Sequence, residues 1–209
     1  MSYSLLRIVR NGVVLSGHHR QRLGLELGSA ASIAFAQFAR ESGPGVWSVR
    51  IDGERVVTEP RAESRLTEGM ATRFAVSPVS GLAGAQPKPG PGGVYDPVRE
   101  PGVATLLTSA DGTEFLEACV AAVVGWDGMR IVCVPAQRPR VWSCAEQAIR
   151  EHLEYRERPL RVDSAEPLLL VNAVKGSCEV AIPGRAPFPP KARAAVDSLF
   201  AALTVWPAP

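Results

Sequence analysis

Leu5-Leu6-Arg7-Ile8-Val9-Arg10-Asn11-Gly12-Val13-Val14-Leu15, followed by Gly17-His18-His19-Arg20-Gln21-Arg22-Leu23, decides how the rest of the chain is read. Asn-Gly between two aliphatic runs is a hairpin signal, because a two-residue turn of the favoured twist puts both central residues at positive φ, which Asn and Gly tolerate best. The spacing therefore predicts strand, tight turn and strand. The basic residues that follow precede a Leu-periodic stretch, which places an arginine near the start of a helix, where anions are welcome. Arg22 is thus a candidate phosphate ligand.

Outward from this stretch, the pattern continues as mixed α and β. Residues 23–38 carry apolar side chains at helical spacing, broken at Gly28-Ser29, with Ser29 placed to cap a second helix. Val46 to Ile51 alternates with period two, Asp52-Gly53 supplies a turn and Arg55 to Thr58 returns, giving a second hairpin; Thr72 to Ser77 reads as a further strand. Ala-Gln-Pro-Lys-Pro-Gly-Pro-Gly-Gly at 85–93 lacks donors and side chains for either regular structure and reads as a linker. Beyond it come strands at 105–108, 117–124, 129–134, 168–171 and 180–182, a helix from Ala145 to Tyr155 capped by Ser143, and a closing amphipathic helix from Pro189 to Leu203. The expected architecture is α+β, with a small N-terminal domain at 1–84, a Pro/Gly-rich linker at 85–100 and a C-terminal α/β domain at 101–209.

Bulk properties exclude several classes. A 46% apolar and 21% charged chain of 209 residues can bury a sizeable core. Its net charge of +2, without a Lys/Arg block, argues against nucleic acid or an anionic membrane. No apolar run approaches the ~18 residues of a membrane span and no leader segment is evident, so a cytoplasmic protein is expected. Cys119, Cys133, Cys144 and Cys178 show no paired spacing, and His18, His19 and His152 form no cluster at metal-ligand spacing, so no metal site and no disulfide framework is expected.

Taken in order, the Asn-Gly hairpin, the His19-Arg20-Gln21-Arg22-Leu23 segment, Asp111-Gly112 followed by Glu117-Ala118-Cys119, and Asn172-Ala173-Val174-Lys175-Gly176 resemble the class IV aminotransferase family. That family includes branched-chain and D-amino acid aminotransferases and aminodeoxychorismate lyase, and the resemblance implies the two-domain fold type IV architecture, pyridoxal 5'-phosphate as cofactor and a homodimer acting on a small amino acid or amino-chorismate. It implies that Arg22 holds the cofactor phosphate, a task suited to a planar fork of donors that keeps its charge. Glu117, with Glu114 as the competing choice, would stand beside the pyridine nitrogen. Asn172 would line the pocket, and Ser143, in Trp142-Ser143-Cys144-Ala145, would replace the family's phosphate-binding Gly-Ile/Val-Thr loop at a helix start.

The family links its cofactor to a lysine after the first domain. Of the chain's three lysines, Lys88, Lys175 and Lys191, only Lys88 lies near that place, between Pro87 and Pro89, which favour extended backbone. The family's asparagine a few residues after the strand glutamate falls on Ala121 or Ala122, and the chain is short around the linker. Two readings follow: a pyridoxal-phosphate transaminase or lyase with Lys88 as catalytic amine, or a non-catalytic relative that keeps the scaffold for ligand binding or association.

Overall fold

The structure, a computed structural model, describes residues 2–62, 66–67, 70–86 and 95–208. Lys88 and most of the Pro/Gly stretch lie outside the described residues. Strands β1 (Ser2–Val9) and β2 (Gly12–Val13) precede helices α1 (Ser16–Leu23) and α2 (Ala30–Glu41), and strands β3 (Gly45–Asp52) and β4 (Arg55–Arg61) follow. Together the strands form an antiparallel sheet in the order β2-β1-β3-β4. Leu6, Ile8 and Val49 turn one face of this sheet onto Phe35 and Ala39 of α2, with Leu23 and Val13 closing the layer. Ser29 caps α2 as expected, its hydroxyl accepting from the Ser32 amide at 3.2 Å.

Two details of the opening hairpin differ from the sequence expectation. Ile8 pairs with Val13 and Val9 with Gly12, so Arg10 and Asn11 make the turn and Gly12 belongs to the strand. Among the described residues, Leu15 is the one non-glycine residue at positive φ, so Asn11 does not take the conformation that an Asn-Gly turn requires. The apolar register fixes this arrangement, since a slip by one residue would turn Ile8 and Val13 away from α2. Gly12 instead serves a close approach. Val13 and Val205 exchange backbone hydrogen bonds of 3.0 and 3.3 Å, and a Cβ on Gly12, at φ 143°, would stand 2.4 Å from the Val205 carbonyl carbon. Gly12→Ala is expected to cost about 2–4 kcal/mol, read as a lower denaturation midpoint at unchanged m-value, because backbone rather than a movable side chain blocks the new methyl.

The second difference concerns the basic segment. His18, His19, Arg20 and Arg22 lie inside α1, and Arg22 sits in its last turn, before the left-handed Gly24 cap, rather than near a helix start. Cations at this end complement the helix dipole, and the anion-binding helix terminus must be sought elsewhere.

Strands β5 (Ala71–Val76), β6 (Ala85–Gln86), β7 (Val103–Thr108), β8 (Glu114–Ala118), β9 (Ala122–Trp126), β10 (Ile131–Cys133) and β11 (Arg140–Val141) lead to helix α3 (Cys144–His152). Strands β12 (Tyr155–Glu157), β13 (Leu160–Arg161), β14 (Leu168–Asn172) and β15 (Gly176–Glu179) precede the final helix α4 (Pro190–Ala202). β5, which sequence order groups with the first hairpins, pairs in parallel with β7 and joins the sheet β13-β8-β7-β5. The single strand expected at 117–124 is two strands, because the chain reverses at Ala118 to Ala121 and crosses into the sheet β12-β10-β9-β14-β15. A strand expected at 180–182 is irregular, and β15 takes its place at 176–179.

The five-stranded sheet is buried on both faces. Val123, Val132, Leu168 and Leu170 pack onto Leu106, Phe115 and Leu116 of the neighbouring sheet, whereas Ala122, Val124, Ile131, Leu169 and Val171 pack onto Ala145, Ala148 and Ile149 of α3 and Val196 and Phe200 of α4. That double burial is why β9 and β14 read as continuous apolar runs without alternation. Cys133, Cys144 and Cys178 are buried free thiols in these layers and Cys119 is half-buried. No described helix is long and apolar enough to cross a membrane.

Candidate functional site

A cleft of about 670 Å³ opens between the first sheet and the rest of the chain, and Arg22, Glu117, Ser143 and Asn172 all border it. Leu6 and Ile8 commit the opposite face of β1 to α2, so Tyr3 and Leu5 face the cleft. The turns after β8 and β14 and the start of α3 supply the remaining walls.

Arg22 spans the gap between α1 and α3. Its Nη2 donates to the Trp142 carbonyl and its guanidinium carbon lies 5.1 Å from the centroid of the Trp142 ring. The buried Nε has no hydrogen-bond partner among the described residues, and burial pulls the Arg22 pKa below the usual guanidinium value. Both features describe a cation with unused donor capacity. Beside it His19, fully buried, joins Ser4 Oγ (2.7 Å) and Cys144 Sγ (3.6 Å) through Nδ1, tying β1, α1 and α3 together.

The helix terminus in the cleft belongs to α3. Ser143 Oγ accepts from the Glu146 amide at 3.3 Å, as a capping residue should, and its own hydroxyl hydrogen remains a donor. The start of this helix is held from below by a buried bidentate pair: Arg140 Nε and Nη2 donate to Glu146 at 3.0 and 2.7 Å. A second guanidinium, of Arg150, shares the same carboxylate at 2.7 Å.

Glu117, 4% exposed, accepts from the Tyr95 hydroxyl at 2.5 Å and from the Val141 amide at 3.1 and 3.2 Å. Burial pushes its carboxyl up to about 7, against the opposing pull of the two donors. Burial and the Glu117 charge push the Tyr95 hydroxyl and the Cys119 thiol up as well, which keeps Cys119 from being a thiolate nucleophile. Glu114, the competing glutamate, is instead paired with Arg138 at 2.8 Å and does not border the cleft.

Asn172 spends its amide on the backbone. Oδ1 accepts from the Val174 and Lys175 amides at 2.7 and 3.1 Å, and Nδ2 donates to the Val120 carbonyl. It shapes the wall and holds two cleft-lining turns against each other. Lys175, which motif order alone assigned no role, borders the cleft half-buried, along with Arg61 and Arg99. With Arg22 these set four basic side chains against the carboxyls of Asp96 and Glu117, an excess that favours an anionic ligand. Away from the cleft, the fold brings together what sequence keeps apart: His18 Nε2 lies 3.0 Å from Glu151 Oε2, with His152 alongside.

No family model and no curated protein matches the sequence. Solved structures do match. A 4-amino-4-deoxychorismate lyase from Pseudomonas aeruginosa superposes with TM-score 0.67 at 15% identity, covering 95% of this chain and 89% of that one. A putative amino-acid aminotransferase from Mesorhizobium loti gives TM-score 0.67 at 14% identity, covering 86% and 98%. The PLP-bound form of a hypothetical aminotransferase from Mycobacterium tuberculosis gives 0.61 at 18%, covering 98% and 88%. The chain therefore has the fold of the fold type IV pyridoxal-phosphate enzymes, the architecture of class IV aminotransferases and aminodeoxychorismate lyases.

Proposed function

We propose that the cleft binds pyridoxal 5'-phosphate and that the chain performs transaminase or lyase chemistry on a small amino acid or amino-chorismate. The convergence of Arg22, the start of α3 and Glu117 on one cleft of this fold carries the reading. The residues fit the group. Arg22 offers a buried Nε without a partner, and Ser143 and the first amides of α3 offer donors where the helix dipole favours negative charge, so together they would hold the phosphate. Glu117, fixed by the Val141 amide, would stand beside the pyridine nitrogen and share a proton with it. When bound, the group supplies an electron sink for charge developing at the carbon next to the substrate amine. Arg61 and Arg99 would receive the carboxylates of the substrate, and Asn172 would keep the walls in register.

Titration of the protein with pyridoxal phosphate, followed through the fluorescence of Trp142 beside Arg22, is expected to saturate with a Kd on the order of micromolar. Arg22→Ala is expected to weaken binding about 10- to 100-fold, the loss of one or two charge-assisted hydrogen bonds. Absence of saturation at millimolar concentration would sink the reading. One observation favours a non-catalytic relative: Tyr95 already occupies Glu117 Oε1. Saturable binding without turnover of any amino donor would select that alternative. The same reading carries a homodimer, and a monomer by light scattering at high concentration would count against it.

A further inference from the structure

Lys175 is held in a way that a solvated surface lysine is not. Its amide donates to Asn172 Oδ1 at 3.1 Å, the neighbouring Val174 amide donates to the same oxygen, and Gly176, at φ 82°, turns the chain directly into β15. The side chain leaves this fixed turn half-buried and lines the cleft that Tyr95, Glu117 and Arg99 also border. No ion pair neutralises its ammonium group among the described residues. Lys191 lies exposed on the first turn of α4.

We propose that Lys175 is the reactive amine of this cleft, and that it condenses with the carbonyl of an aldehyde ligand carrying an anionic group. The inference rests on the reading of the cleft as a pyridoxal-phosphate site and assigns the amine differently from sequence order, which points to Lys88. An amine reacts with a carbonyl only when neutral, and a neutral lysine is obtained by desolvation or by a second cation close by. Lys175 has both, since burial and the Arg99 charge lower its pKa. In the step itself the nitrogen lone pair bonds to the carbonyl carbon, the two amine hydrogens leave with the carbonyl oxygen as water, and a C=N double bond remains. No oxidant or reductant is consumed. Arg22 and Arg99 line the same cleft and supply the charge that draws the anionic group in.

Three lysines make the assignment easy to read. The full chain is incubated with either pyridoxal phosphate or glyoxylate, the C=N bond is reduced with borohydride, and proteolytic peptides are mapped by mass spectrometry. The Lys175 peptide is expected to carry about tenfold or more label than the Lys191 peptide. Lys175→Arg, which keeps the charge but cannot condense, should lose the label while melting like the parent; if that variant does not fold, the parent's map decides alone. Label concentrated on Lys88, label spread evenly over the lysines and the terminal amine, or no label at all would each overturn the proposal. Labelling of Lys175 by glyoxylate with no saturable pyridoxal phosphate binding would uphold Lys175 and reject the cofactor, whereas saturable binding with the label on Lys88 would do the reverse.

Discussion

Glu146→Ala is expected to lower the unfolding free energy by about 3–5 kcal/mol, a large share of what a domain of this kind holds in reserve. Glu146 is 3% exposed and Arg140 5% exposed, and their two parallel hydrogen bonds are the geometry in which a guanidinium and a carboxylate satisfy each other. Arg150 uses the same oxygen and places its guanidinium 5.4 Å from the Tyr155 ring. Removing the carboxylate leaves the buried Arg140 guanidinium without an anion, whereas Arg150 keeps the carboxylate of Glu157. Arg140 would keep its bonds to the Pro135 and Arg138 carbonyls, which hold the side chain in place rather than release it to solvent. The pair Arg140→Met with Glu146→Leu should recover most of the loss, because an apolar replacement of both partners removes the uncompensated charge while Arg150 stays paired with Glu157. Urea denaturation of the three proteins tests this: a single-mutant loss under about 1 kcal/mol would show that water reaches the pair. Since Glu146 also anchors the first turn of α3, the single variant should bind pyridoxal phosphate more weakly than its stability alone explains.

Much of the fold was legible because local signals and burial agree. Ser29 and Ser143 cap the helices that sequence places after them, and the second hairpin forms where period-two alternation stops, its turn shifted by one residue to Gly53-Glu54 because Asp52 pairs with Arg55. Arg22, Glu117, Ser143 and Asn172 lie far apart along the chain and reach one cleft because the order of motifs encodes the sheet order. What sequence could not show has physical causes. Gly12 sits in the strand rather than the turn, where its missing side chain admits the Val205 backbone, a contact made by a segment at the other end of the chain. The reversal at Ala118 to Ala121 is invisible in a run of small apolar residues, since both strands it joins are buried on each face. Arg22 looked like the start of a helix because basic residues mark either end of one, and the left-handed Leu15 that starts α1 early has no propensity to announce it. Lys175 was visible in the sequence throughout; only the turn fixed by Asn172 shows that it lines the cleft. A lysine three residues past a buried strand carries that signal in its position, not in its neighbours.

Glu117→Gln should separate stability from function in opposite directions. The carboxyl titrates at 4.5 in an unfolded chain and is pushed up to about 7 by burial, so the folded state binds the proton more tightly. For a raised pKa the contribution to stability is fully present below about pH 4.5 and is lost as pH climbs to about 7, beyond which a charged carboxylate stays buried at a cost of about 3 kcal/mol. Glutamine keeps the shape and stays neutral. Its oxygen, placed where Glu117 Oε1 lies, can accept from both the Tyr95 hydroxyl and the Val141 amide, so neither donor is orphaned. The difference in unfolding free energy between variant and parent should therefore be small near pH 5 and grow in favour of the variant toward pH 8, other titrating groups being common to both. Parallel stability curves across that range would show that Glu117 is already solvated. Turnover, where the chain has it, is expected to fall about 100-fold or more, because glutamine cannot hold or return the proton that Glu117 would share with the ring nitrogen of the proposed cofactor. A buried carboxylic acid that costs stability as soon as it ionises, on a strand facing a cationic cleft, is the price a site accepts for placing a titratable group where ligand binding can use it.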